Sequence, residues 1–245
     1  YIELHKSLFP PENDAYGDLN RFFEGVHART ATLAVDGATL ITLNPTDHFF
    51  YLICHSFKHF LHSGFGLRQV CDIVLYANRW GKEINWALVK NNFEEIHAFG
   101  FTRALLKIGK VHFGFDPENA CLPESWQIDD VDETPMLEDL LDSGVYGDAT
   151  MSRKHSSTMT LGAVAADKQG KRAKRNVLRT LFPKLSEMKG RYPYLKRRSY
   201  LLPVAWVSRI LSYVRRKGKQ NDDAAESLRI ASERIELMRK YGIIR

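Results

Sequence analysis

Apolar and polar positions follow strand periodicity at the start of the chain and helical periodicity over most of the rest. Residues 1–9, "YIELHKSLF", alternate and predict a β-strand. Residues 14–29 repeat apolar side chains at helical spacing, which predicts a helix. Asp36-Gly37 stands between two short apolar runs and predicts a hairpin turn. A small sheet with one helix is therefore expected in this part of the chain.

Four helices are predicted between residues 44 and 115, in the stretches 44–64, 65–80, 84–100 and 101–115. Asn44, Thr46 and Pro45 suit the start of the first helix, and Gly64 suits its end. The connections are short, which favours antiparallel packing of neighbouring helices. One more helix is predicted at 135–143, within an acidic, Pro-rich stretch.

The pattern weakens after that point and then returns. Residues 149–175 show little apolar periodicity, and we expect part of this stretch to be mobile. The chain ends in an amphipathic helix beginning near Ala224. The predicted fold class is α+β and mostly helical, divided as follows: a sheet region at 1–43, a helical bundle at 44–145, a linker at 146–175 and a basic helical region at 176–245.

The amino-acid composition limits the classes of protein to which this chain can belong. The 245 residues include 44% hydrophobic residues, enough for a buried core. Three scattered cysteines with no CxxC spacing give no disulfide framework and no zinc motif, which favours a reducing, cytoplasmic setting. The longest apolar run is interrupted by Pro203 and Arg209 and is too short to span a bilayer.

Charge is divided unevenly along the chain. Residues 151–245 contain 24 basic and 7 acidic side chains, whereas acidic residues exceed basic ones in the first 150. Aromatic residues alternate with the basic ones in the C-terminal region, so residues 200–217 are candidates for contact with an anionic membrane surface or an acidic partner. The alternative is that the basic residues are solvated or pair with the acidic first part of the chain. Nucleic acid is a less favoured partner, since no RNA- or DNA-binding motif is present.

A dense group of polar side chains lies at residues 54–73, "CHSFKHFLHSGFGLRQVCDI". His55, Lys58 and His59 lie within one helical turn, and Arg68 and Asp72 follow on the next helix. His55 and His59 have the i,i+4 spacing of metal ligands, but the zinc-protease pattern would need Glu at Ser56 and no third ligand is evident. A phosphate-binding face and a polar network joining two helices both remain open.

The order of these motifs resembles a known family. "IELH", then "NPTDHFFYLICHSFKHF", "GLRQVCDIVLYANRW" and "INWALVKNN" are similar to the uncharacterised nucleotidyltransferase-like family of bacterial proteins. The resemblance covers residues 1–115 well and continues loosely into the C-terminal region. It implies the remnant of a polymerase-β-type nucleotidyltransferase sheet followed by a helical bundle.

The resemblance also implies an activity: transfer of a nucleoside monophosphate from an NTP to an unknown acceptor, with Mg²⁺ neutralising the phosphates. Glu3 matches the strand carboxylate of the family and would ligate the metal, while His5 would contact substrate. His55, Lys58, His59 and Arg68 would contact phosphate or acceptor. Asp72 would orient Arg68 or His55.

Other features of the sequence bear on whether this chain is catalytic. The Gly-Ser turn and Asp-x-Asp pair of such enzymes have no match here, so we expect them upstream of Tyr1 in a longer protein. Asp130-x-Asp132 has the right spacing, but it follows the helices without a Gly-Ser lead-in, and we interpret it as a solvated acidic loop. The alternative function is a non-catalytic helical binding module with a basic tail.

Overall fold

The computed structural model describes residues 7–10, 13–62, 64–143, 151–168, 185–188, 192–196, 199–208 and 221–244. Its main elements, in chain order, are β1 (Thr30–Val35), β2 (Ala38–Leu43), α1 (Pro45–His62), α2 (Leu67–Trp80), α3 (Trp86–Glu95), α4 (Phe99–His112), α5 (Thr134–Asp142), α6 (Met151–Lys168) and α7 (Asn221–Lys240). A small antiparallel sheet is followed by helices, which confirms the predicted mostly helical α+β class.

The predicted hairpin is confirmed. Strands β1 and β2 pair antiparallel from Thr30 opposite Leu43 to Val35 opposite Ala38. Asp36 and Gly37 connect them with φ angles of 49° and 79°. Because two-residue hairpin turns of this kind need positive φ at both positions, an Asp-Gly pair suits the turn.

The segment before the hairpin differs from its prediction. The strand expected at residues 1–9 lies largely on residues 1–6, outside the described residues. The helix expected at 14–29 is wrong, because two short 3₁₀-helices, Leu19–Phe23 and Val26–Arg29, are found there. Gly25 separates them in the left-handed conformation, with φ 65°, which a continuous α-helix cannot contain.

The four central helices confirm the prediction for residues 44–115. Helix α1 buries one side made of Phe49, Ile53, Phe57 and Phe60, each at most 1% exposed. The rings of Phe57 and Phe60 pack against Phe101 of α4, with centroid distances of 5.2 and 5.1 Å. Burial of large aromatic rings contributes strongly to such a core, since each removes a large apolar area from water.

The linker expected at residues 146–175 is contradicted over most of its length, because residues 151–168 form helix α6. This helix packs against α1 and α7. It buries the small polar residues Ser156 and Thr160 as well as Val164, and the Thr160 hydroxyl donates to the Leu61 carbonyl at 3.2 Å. Polar side chains hidden in the contact explain why the sequence showed little apolar periodicity.

The end of the chain belongs to the same core as the central helices. Leu237, Met238, Tyr241, Ile243 and Ile244 are buried in one cluster with the apolar side of α1. Further along the chain from α6, a second small cluster forms around Met188, Leu195 and Ala205. Within the described residues, none of the helices combines the length and apolar composition that crossing a bilayer requires.

Candidate functional site

Helix α1 presents the polar side chains of the site. Its start is fixed by Asn44, whose side chain accepts from the Asp47 amide at 3.0 Å, and by Arg29, whose Nε donates to the Asp47 carboxylate at 2.6 Å. Its phenylalanine side faces the core. The opposite stripe is half-buried and contains His48, His55, His59 and His62 in nearly whole-turn steps.

His55, Lys58, His59 and His62 form what we call the basic cluster. The imidazole rings of His55 and His59 lie 4.6 Å apart, Tyr51 lies 5.8 Å from His55, and Tyr16 lies 6.3 Å from His62. Among the described residues, no hydrogen bond involves the side chains of this cluster. The rings pack against one another and against tyrosines, and the part of the chain that the structure describes holds no hydrogen-bonded network that joins the side chains of this cluster to a second helix.

The pKa values of all three histidines in the basic cluster are lowered. Burial and the neighbouring groups His55, Lys58 and His62 lower the pKa of His59 to about 4. The pKa of His55 is lowered by burial and by Lys58, and that of His62 by burial, Lys58 and Arg234. Among the described residues, the charged neighbours that shift these three pKa values are all basic, so an anion placed here would relieve repulsion.

Arg68 and Asp72 lie on α2, where they are exposed. The i,i+4 ion pair suggested by their spacing does not form between them in the described structure. Asp72 lines a groove between α1 and α2 rather than contacting Arg68. The predicted set is therefore brought together in part: His55, Lys58 and His59 adjoin on α1, while Asp72 lies in the neighbouring groove.

The α1–α2 groove was not predicted as a site. It has a volume of about 570 Å³ and is lined by His48, Leu52, Asp72, Leu75, Tyr76, Arg79 and Trp80. The side chain of Leu75 is 67% exposed here. The recurrence of Asp72, Tyr76 and Trp80 at four-residue steps was the signal available in the sequence.

Glu3 and His5 lie outside the described residues, so their predicted roles stay predictions. The chain reaches the site soon after them, because the ring of Phe9 lies 5.4 Å from that of Tyr51, one turn before His55. Asn20 holds this segment in place, accepting from the Phe9 amide at 3.0 Å and donating to the Phe9 carbonyl at 3.1 Å.

The described members of the site do not fit a magnesium ion. Mg²⁺ prefers oxygen ligands, whereas the basic cluster offers imidazole and ammonium nitrogens. No group of three or more His, Cys, Asp or Glu side chains suited to a metal ion is found in the described parts of the chain. The Asp130-x-Asp132 stretch is a charged surface loop in which Asp132 pairs with Lys240 and Asp129 lies 2.8 Å from Lys110.

Comparison with known proteins bears on the part of the chain that holds this site. Residues 1–114 match the family model described as an uncharacterised nucleotidyltransferase. The resemblance to nucleotidyltransferase-like proteins is thereby confirmed over that stretch, which contains the basic cluster, Arg68 and the α1–α2 groove. No curated protein and no solved structure matched the chain. The nucleotidyltransferase-like stretch ends two residues after helix α4.

Proposed function

We propose that this protein takes part in Mg²⁺-dependent transfer of a nucleoside monophosphate from an NTP to an acceptor, and that the basic cluster binds the triphosphate. The basic surroundings of the cluster carry the proposal. Lys58 stands among three histidines on a half-buried helix face, and the neighbours from the described residues that shift the histidine pKa values are all basic groups. The family match supports a nucleotide as the anion.

The residues would divide the work by chemistry. Lys58 provides a point charge for phosphate oxygens, and its lowered pKa reflects partial burial. His55 and His59, neutral near pH 7 because their pKa values are lowered, would donate N–H groups or take up a proton when the anion binds. Arg68 would approach phosphate or acceptor from α2. Glu3 would supply a metal carboxylate and His5 a substrate contact.

Binding is the property to measure, because these 245 residues contain no match to the Gly-Ser turn and Asp-x-Asp pair. Isothermal titration calorimetry of the whole chain would use inorganic tripolyphosphate and, separately, ATP with Mg²⁺. Lys58→Ala is expected to weaken tripolyphosphate binding about tenfold, the effect of losing one charge-assisted hydrogen bond. Arg68→Ala tests whether the exposed guanidinium of α2 contributes.

The matched control is Lys82→Ala, which removes an exposed ammonium outside the basic cluster and is expected to leave binding unchanged. Equal weakening by Lys58→Ala and Lys82→Ala would mean that only overall charge matters. Unchanged binding in both Lys58→Ala and Arg68→Ala would remove the triphosphate site from this face of α1.

A second candidate rests on an exposed apolar face in the C-terminal region. Tyr200, Val204 and Val207 are 73%, 56% and 55% exposed and follow helical steps of four and three. We propose that residues 200–217 contact an anionic membrane surface, since basic residues follow directly in the sequence. Residues 209–217 lie outside the described part. Flotation with phosphatidylserine vesicles, which Val204→Asp should reduce, tests this contact.

A further inference from the structure

The α1–α2 groove is an open depression on the surface with a mostly apolar lining. Its volume of about 570 Å³ falls within the range common for ligand pockets. Leu52 and Leu75 give it an apolar floor and rim, and the side chain of Leu75 is left 67% exposed to water. A ligand that covers this leucine would gain from removing apolar area from solvent.

Flat rings dominate the groove. The imidazole of His48 and the ring of Tyr76 lie 4.5 Å apart, and Tyr76 lies 6.5 Å from Trp80. The Arg79 guanidinium lies over the Trp80 ring at 4.5 Å. Burial and Glu83 raise the pKa of Tyr76 to about 12, so its hydroxyl stays protonated. Stacked aromatic and guanidinium planes are the surfaces on which proteins hold nucleobases.

The carboxylate of Asp72 is the group in the groove that would make a specific polar contact to a nucleobase. Asp72 lines the groove, and no hydrogen bond or ion pair to its carboxylate is found within the described residues. An ionised carboxylate only accepts hydrogen bonds, and its two oxygens match a pair of adjacent donors. Guanine presents such a pair, its ring N1–H and its exocyclic amino group. Adenine presents an acceptor nitrogen beside its amino group, so a carboxylate suits it poorly.

The groove is continuous with the proposed phosphate site. His48 and Leu52 of the groove and His55 and His59 of the basic cluster lie on one stripe of α1. At 1.5 Å per residue, His55 lies about 10 Å along the helix axis from His48. This separation is comparable with that between the base and the phosphates of an extended nucleotide.

We propose that the α1–α2 groove is the base subsite of the nucleotide and that Asp72 selects guanine over adenine. The inference rests on the proposed function, because it takes the basic cluster as the site of the phosphates. The base lies against the rings of Tyr76 and Trp80, its amino edge faces Asp72, and the phosphates run along α1 towards Lys58.

The experiment compares four probes on the whole chain by calorimetry: GTP and ATP, each with Mg²⁺, guanosine, and inorganic tripolyphosphate. The wild-type protein is expected to bind GTP about tenfold more tightly than ATP, the discrimination typical of one bidentate contact to a base. Asp72→Asn is expected to abolish this preference and leave tripolyphosphate binding unchanged. Trp80→Leu is expected to weaken GTP and ATP equally.

The control is Asp142→Asn, an exposed carboxylate at the end of α5, which should leave all four affinities unchanged. Equal affinity of the wild type for GTP and ATP, or a preference that survives in Asp72→Asn, overturns the inference. Altered tripolyphosphate binding in Asp72→Asn also overturns it, since a general electrostatic effect would then explain the change.

The probes separate this inference from the proposed function. If tripolyphosphate binds but the bases are not distinguished, the groove loses its role and the phosphate site stands. If guanosine binds in a manner that depends on Asp72 while tripolyphosphate does not bind, the groove stands and the phosphate site is wrong. Failure of guanosine and tripolyphosphate alike overturns both.

Discussion

At the scale of single residues, His59 links the basic cluster to folding stability. Its pKa is lowered to about 4 in the folded protein, while the unfolded chain has the ordinary imidazole value near 6.5. Between these values the unfolded state binds more protons, so stability falls as the pH decreases from about 7 to 4. His59→Gln should prevent a decrease of about 1 kcal/mol in the free energy of unfolding on going from pH 7.5 to pH 5. This figure is reduced to allow for solvent screening of the half-buried imidazole. Urea unfolding at pH 7.5 and pH 5 measures it.

His27→Gln is the control for this prediction, because His27 is an exposed histidine in the segment before the hairpin. Its pH dependence should match that of the wild type. If His59→Gln instead loses as much stability as the wild type between pH 7.5 and pH 5, the lowered pKa of His59 does not contribute to folding.

Single residues also show which features of the site could be predicted from the sequence and which could not. Helical spacing placed His55, Lys58 and His59 on one face of α1, because that arrangement depends only on the local helix. The i,i+4 spacing of Arg68 and Asp72 would also allow an ion pair, which is not found in the described structure, since the contacts of exposed side chains depend on neighbouring elements. Tyr76 and Trp80 form part of a groove only because α1 packs beside α2.

At the scale of elements, Arg234 of α7 joins the end of α1 to α5. It is 2% exposed and donates to the carbonyls of Phe60 and His62, and its Nε lies 3.5 Å from the Asp139 carboxylate. Arg234→Met is expected to cost about 3–5 kcal/mol, because it removes the buried donor to the Phe60 and His62 carbonyls together with the ion pair to Asp139. The free energy of unfolding from urea titration measures this loss.

Arg239→Met is the matched control on the same helix, where the side chain is exposed, and it should change stability by less than about 0.5 kcal/mol. Adding Asp139→Leu to Arg234→Met should recover part of the loss, because the charge that Arg234 balanced is then removed as well. A double variant that is less stable than the single one would mean that Asp139 is stabilised independently of Arg234.

Elements with clear boundaries in the sequence were predicted well. Asn44 and Pro45 marked the start of α1, and Asp36-Gly37 marked the hairpin turn, because these residues act through the local backbone. Helix α6 was missed, since its contact surface includes Ser156 and Thr160, which an apolar pattern does not count. The apolar spacing of residues 14–29 predicts one α-helix, whereas two 3₁₀-helices form. The spacing alone does not show that Gly25 adopts the left-handed conformation that separates them.

At the scale of the whole molecule, helices α1 to α7 contribute to one core. The sequence predicts a separate basic region at residues 176–245, and this boundary stays a prediction. Met238, Tyr241 and Ile244, which belong to that region, are nevertheless buried with the central helices. The Tyr241 hydroxyl donates to the Asp132 carbonyl at 2.8 Å and accepts from the Met136 amide at 3.3 Å. Because these contacts cross the predicted boundary, the end of the chain should stabilise the bundle.

A chain ending at Gln220 tests this coupling. It loses α7, Arg234 and the buried residues after Lys240, so the central helices should unfold at a clearly lower urea concentration. Trp80, Trp86 and Trp126 lie in or beside those helices, and with Trp206→Phe introduced in both chains the remaining tryptophan fluorescence reports the bundle. The full chain should show one transition, coincident by fluorescence and by far-ultraviolet circular dichroism. An unchanged fluorescence midpoint in the shortened chain, or two separate transitions in the full chain, would instead show that the region from 176 onward folds independently of the bundle.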